Sequence, residues 1–82
     1  MKIVTVKDRA VDAYSKPIFV RATGEAARSF VDEINNDNSE MGKHPEDYDL
    51  YLLGEYDERT GGITSEPIPA LILRGQDVKN TA

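Results

Sequence analysis

One stretch of this chain has to be a helix with a buried side. Ala26, Ala27, Phe30, Val31 and Ile34 recur at the i, i+3, i+4, i+7 spacing that gathers side chains into one stripe. Arg28, Asp32 and Glu33 fall outside that stripe. Thr23 stands where an N-cap is expected, and Glu25 in the first turn suits the positive end of the helix dipole. Asn35-Asn36-Asp37-Asn38-Ser39 then ends the segment with residues that prefer turns. The spacing predicts a helix over about 24–35. An apolar stripe must be buried against another layer, so the rest of the chain has to supply one.

That layer reads as strands. Lys2–Lys7 alternates with period two, Val4 and Val6 on one face and Ile3, Thr5 and Lys7 on the other. Asp8–Ala13 is polar and turn-like. Pro17-Ile18-Phe19-Val20-Arg21 reads as a second strand, with Pro17 first, where a missing N–H costs least. The two form a candidate hairpin. Asn36–Lys43 reads as loop, and His44-Pro45-Glu46-Asp47 as a helical turn or tight bend. A third strand covers Asp49–Tyr56, with Leu50 and Leu52 opposite Tyr51 and Leu53. If the alternation runs on through Gly54, Tyr56 shares the leucine face. Asp57-Glu58-Arg59-Thr60-Gly61-Gly62 is a turn. A last strand is expected over about 68–73, because Pro67 and Pro69 mark its start as irregular. The expected fold is α+β: a small antiparallel sheet of about four strands, in the order β-β-α-β-β, with one helix packed on a face. Residues 1–82 are expected to form a single domain, with a frayed tail over about 78–82.

A chain of 82 residues buries roughly 60–65% of its unfolded surface, so modest stability is expected unless it associates. There is no cysteine, hence no disulfide framework and no thiolate metal site. The first residues are too broken by charge for a signal peptide, and no apolar run approaches the roughly 20 residues that cross a bilayer. A soluble protein of the cytoplasm is expected.

Charge is divided unevenly. Residues 1–30 hold six bases against three acids, while residues 31–82 hold four bases against twelve, for a net charge of −5. A chain with that division can offer a basic face to a polyanion while its acidic remainder keeps it soluble. The candidate nucleic-acid-binding set is Lys2, Lys7, Arg9, Tyr14, Lys16, Phe19, Arg21 and Arg28. Single-strand binders combine phosphate-neutralising cations with rings on which bases stack, and Lys7, Arg9, Lys16 and Arg21 flank Tyr14 and Phe19. The competing reading is a set of ordinary solvated cations. Phe19, between Ile18 and Val20, reads more readily as core, which leaves Tyr14 as the better stacking residue. Tyr51 is a second stacking or dimer-interface candidate, weighed against plain cross-strand packing. The acids Glu46, Asp47, Asp49, Glu55 and Asp57 argue against DNA running along that end.

His44 with Glu46, Asp47 and Asp49 makes a poor metal or acid–base site, since a lone histidine before proline reads as a turn residue. No serine sits in a motif that would pair it with the single histidine. Thr60-Gly61-Gly62-Ile63 lacks the lysine and following helix of a phosphate-cradling loop. No enzyme, no cofactor and no metal are expected.

The run His44-Pro45-Glu46-Asp47-Tyr48-Asp49-Leu50-Tyr51-Leu52-Leu53-Gly54-Glu55-Tyr56-Asp57, followed by Thr60-Gly61, resembles the central signature of a phage family. It looks like the small non-structural protein (fifth open reading frame type) of gokushovirus-type microviruses, phages with single-stranded circular DNA. The likeness takes in Val4-Thr5-Val6 with Asp8-Arg9, then Tyr14 with Pro17-Ile18-Phe19-Val20. Ala26-Ala27-Arg28-Ser29-Phe30 and Gly75 with Asp77-Val78-Lys79 extend it. The resemblance implies a DNA-associated protein of phage genome replication, a counterpart of the microvirus protein that turns replication toward single-strand synthesis and packaging. It brings no binding residues with it. Two readings follow. The first is a non-catalytic DNA-binding protein favouring single strands, acting as a homodimer in the host cytoplasm. The second is an acidic adaptor that engages a replication, host or procapsid protein without touching DNA.

Overall fold

The computed structural model describes residues 1–80. Strand β1 (Lys2–Asp8) is followed by two short strands, β2 (Ala13–Tyr14) and β3 (Ile18–Val20), which pair in tandem along one edge of it. Helix α1 (Thr23–Ile34), the single turn α2 (Glu40–Lys43) and a 3-10 turn (Pro45–Asp47) lead to the long strands β4 (Tyr48–Tyr56) and β5 (Ile63–Arg74). The short helix α3 (Gly75–Val78) follows. Every pairing is antiparallel, and the sheet runs β2/β3, β1, β4, β5. The fold is α+β, with α1 across one face.

The stripe of α1 does what its spacing requires. Ala26, Phe30 and Ile34 are buried with Val4, Val20 and Leu50, and Val6, Leu52, Ile72 and Val78 pack around them. Burying side chains such as Phe30 or Ile34 contributes roughly 1.5–3 kcal/mol each. The helix starts one residue earlier than its composition indicates. Thr23 is its first helical residue, and Ala22 occupies the cap with no side-chain bond.

Four local readings are corrected. The expected second strand is present as β3, but a further short strand, β2, precedes it where a polar turn was expected to lead in. Ser15 stitches the two to β1: its N–H donates to the Val6 carbonyl at 2.8 Å, and Thr5 Oγ1 donates to its carbonyl at 2.8 Å. The loop before His44 contains α2, capped by Ser39 Oγ, which accepts from Gly42 N–H at 2.9 Å. The last strand begins at Ile63. Leu52 faces Ala70 and Gly54 faces Ser65, so the residues between Ser65 and Ala70 bulge opposite Leu53. Pro67 and Pro69 lie in that bulge, where no ladder donor is needed.

The fourth correction concerns the expected tail. Val78 packs on the core. Asn35 Nδ2 donates to the Val78 carbonyl, and Asn80 N–H donates back to Asn35 Oδ1 at 2.6 Å. Lys79 Nζ donates to the Ile34 and Gly42 carbonyls and to Asp37 at 2.7 Å. It brings a cation to the negative end of α1, whose own last turn has none. Gly75 permits this docking, because a Cβ there would run into the Pro45 and Tyr48 carbonyls. Thr81 and Ala82, the rest of the expected tail, lie outside the described residues.

Candidate nucleic-acid interface

Residues directly opposite each other in neighbouring strands stand on the same face, so the register sorts the side chains. Val4 and Val6 lie with Leu52 and Leu50 under α1. Ile3, Thr5 and Lys7 point the other way, with Phe19 opposite Ile3, Tyr51 opposite Thr5, and both Tyr14 and Asp49 opposite Lys7. β5 adds Leu71 opposite Tyr51 and Arg74 opposite Asp49. Between the pairs Val4–Leu52 and Ile3–Gly54, β4 advances by two residues while β1 advances by one. That bulge at Leu53 reverses the alternation. Tyr56 therefore leaves the leucine face, contrary to the sequence expectation, and joins Tyr51.

The face opposite α1 thus carries four rings in two edge-to-face pairs. Tyr14 and Tyr51 have centroids 5.7 Å apart at 74°, and Phe19 and Tyr56 lie 5.6 Å apart at 78°. The pairs flank Thr5 and Ile3, about 7 Å apart along β1. Thr5 and Ile3 are almost fully buried, whereas Tyr14, Phe19, Leu71 and Ile63 stay exposed. Phe19 is therefore not core. Val20 takes the inward position in β3, and the strict alternation turns Phe19 out at 46% exposure.

Cations gather at one end of this face. Lys7 Nζ lies 5.3 Å from the Tyr14 ring centroid and 3.1 Å from Asp12. Its pKa is raised, chiefly by the hydrogen bond to Asp12, with the charges of Asp12, Tyr14 and Tyr51 adding. Asp12 holds φ 54° in the β1–β2 turn, a conformation aspartate tolerates. Arg9 Nε and Arg74 Nη1 each lie 3.3 Å from Asp49 Oδ2. Asp49 is fully buried, and its Oδ1 accepts no hydrogen bond among the described residues. The sequence reading counts Asp49 among surface acids that repel DNA. Two arginines meet this one carboxylate, so Asp49 is a paired, buried acid rather than a free surface charge.

The rest of the predicted set is dispersed. Lys2 alternates onto the covered face, where Nζ meets Glu55 at 2.5 Å. That contact holds the Glu55 carboxyl below its usual range. Arg28 is exposed on α1, across the sheet from the rings. Lys16 and Arg21 are exposed in the connections on either side of β3 and make no ion pair among the described residues. The structure brings Lys7, Arg9, Tyr14 and Phe19 together, and it adds Arg74 and Tyr56, which the sequence reading missed, to Tyr51. Their signal was long-range: Arg74 enters through its pairing with Asp49, and Tyr56 through a bulge.

His44, just before the 3-10 turn, and Glu46 and Asp47 within it have ligand atoms within 4.8 Å of one another, as neighbouring surface side chains commonly do. No helix among the described residues is long and apolar enough to cross a membrane.

The family described as phage ORF5 protein matches residues 1–78. The chain belongs to that family. It is therefore a phage protein, in agreement with the resemblance carried by residues 44–61. No curated protein and no solved structure matches it.

Proposed function

We propose that this ORF5 protein is a non-catalytic single-strand DNA binder whose contact surface is the sheet face opposite α1. One observation carries the reading: four aromatic rings and the cations Lys7, Arg9 and Arg74 share that face. Rings offer stacking planes that suit unpaired bases, and the cations supply phosphate contacts at one end. A duplex hides its base faces, so the rings favour the single strand. Lys16, exposed in the connection between β2 and β3, is a further cation on that edge of the sheet. The role in the phage that fits is genome replication, or the turn toward single-strand synthesis and packaging of a microvirus genome, carried out in the host cytoplasm.

Fluorescence anisotropy of labelled single-stranded and duplex DNA, at low and moderate salt, tests the proposal. Saturable, salt-sensitive binding that favours the single strand is expected. Absence of binding to either form at low salt overturns it.

The second reading is an adaptor that covers the same face with a replication or procapsid protein. It is favoured by Leu71 and Ile63, exposed aliphatic side chains that offer no stacking plane. A homodimer joined across this face is the simplest such partner. Sedimentation of the protein with and without DNA separates the cases, because a dimer that uses the rings is dissociated by an oligonucleotide.

A further inference from the structure

We infer that Arg9, Asp49 and Arg74 form a phosphate clamp in which the buried carboxylate positions two guanidinium groups and the guanidinium groups hold one DNA phosphate. This deepens the DNA-binding reading and rests on it.

The argument begins with burial. A carboxylate as completely buried as Asp49 needs compensating charge, and here a single oxygen receives two cations. The ion cluster carries one positive charge more than it needs. Because both contacting nitrogens are 3.3 Å from the same Oδ2, they are separated by no more than twice that distance. A tetrahedral phosphate spans such a gap with two of its oxygens.

The arginines are also fixed in place. Arg9 turns Nε toward Asp49 and donates from Nη2 to the Glu46 carbonyl, while its backbone N–H donates to the Asp47 carbonyl at 2.7 Å. Arg74 donates from Nη1 to Asp49, at the register position where β4 and β5 pair. A guanidinium has five N–H donors in a rigid fork, so most donors of each remain for a ligand. The side chains are 40% and 39% exposed, open to solvent on their outer edges. Lys7, the cross-strand neighbour of Asp49, stands beside Tyr14 and is paired with Asp12 at 3.1 Å, so it leaves the excess at one. A monoanionic phosphodiester matches the single excess charge, and the ring pair Tyr14–Tyr51 stands next to it to receive the attached base. Asp49 is a positioning residue: it touches no DNA.

The test compares wild type, Arg74→Gln and Arg74→Lys in binding oligothymidylate over a series of salt concentrations, with thermal unfolding as a check that each variant folds. Arg74→Gln is expected to lower affinity and to reduce the slope of log K against log salt by about 0.7, one phosphate contact on a single strand. Arg74→Lys, which keeps the charge without the fork, is expected to hold the slope and still bind more weakly. On an oligonucleotide with an uncharged methylphosphonate backbone, wild type and Arg74→Gln are expected to bind alike. An unchanged slope and affinity in folded Arg74→Gln overturns the clamp and leaves the DNA-binding reading intact. If wild type binds no DNA, that reading falls, and a titration with inorganic phosphate followed at the arginine Nε–H signals by NMR decides the clamp alone. Saturable shifts at both Arg9 and Arg74 would retain it as a site for free phosphate, and no shifts would remove it.

Discussion

The two faces of the sheet are built by the same strands and do opposite things with them. Under α1, Val4, Val20, Leu50, Phe30 and Ile34 exclude water almost completely. On the other side the strands present Tyr14, Phe19, Leu71 and Ile63 to solvent, with Tyr51 and Tyr56 partly covered. A chain this small with one helix can seal one face. Large rings kept outward on the second face must be explained by what they contact, since folding alone does not require them there. On the proposed reading, the period-two alternation of single strands separates stability from recognition, residue by residue.

Removing one side chain from each face tests that separation. Phe30→Ala leaves a cavity under the helix and is expected to cost about 3–5 kcal/mol in denaturant unfolding, enough to threaten the fold. A loss below about 1 kcal/mol would show that the covered face is not the core. Tyr14→Ala should leave unfolding within about 1 kcal/mol of wild type while weakening single-strand DNA by about 1–3 kcal/mol in anisotropy. Were the two variants to affect stability equally, the division of labour between faces would be wrong. Lys7→Gln combined with Lys16→Gln is expected to lower the salt slope by about 1.4, corresponding to two phosphate contacts, with little change in unfolding. An unchanged slope would remove the β2/β3 edge from the interface.

The smallest effect concerns the side away from the rings. Asp37 is held below its ordinary value, first by the hydrogen bond from Lys79 and then by that residue's charge. A carboxyl depressed in the folded state contributes stability that is complete above its unfolded pKa. That contribution disappears as pH falls through the folded value, here below about pH 4. In Lys79→Ala the Asp37 carboxyl should titrate in the normal range by NMR, and the acid-side loss of stability should shrink. DNA affinity should not move. If Asp37 titrates alike in both proteins, the clasp over α1 does not set its charge.

What was legible in the sequence was periodic and local. The helix followed from five residues at one spacing, β1 from its alternation, and the turn at 57–62 from its glycines, with Gly61 at φ 76°. The prolines misled: they looked like the boundary of β5, yet they occupy a bulge inside it. One extra residue at Leu53 sent Tyr56 to the other face, and periodicity cannot count a bulge in advance. The site was half visible. Lys7, Arg9 and Tyr14 lie close in sequence and stand at one end of the open face, while Phe19, which read as core, stands on the same face at its other end. Arg74 reaches them through a pairing 25 residues from Asp49, and local pattern holds no trace of it. Asp49 looked like one more surface acid because burial cannot be read from residue type.

The position of β1 has a consequence for how the protein forms during synthesis. Its neighbours are β2 and β3 on one edge, complete by Val20, and β4 on the other, which ends at Tyr56. The first pairing is local and forms early, whereas the second waits for most of the chain. At the usual pace of translation, about 5–20 residues per second, β1 spends roughly 2–7 s with one edge unmatched. An uncovered strand edge is a template for unwanted partners, and lysines blunt it. Lys2 and Lys7, near the two ends of β1, are residues of that kind on the strand that waits.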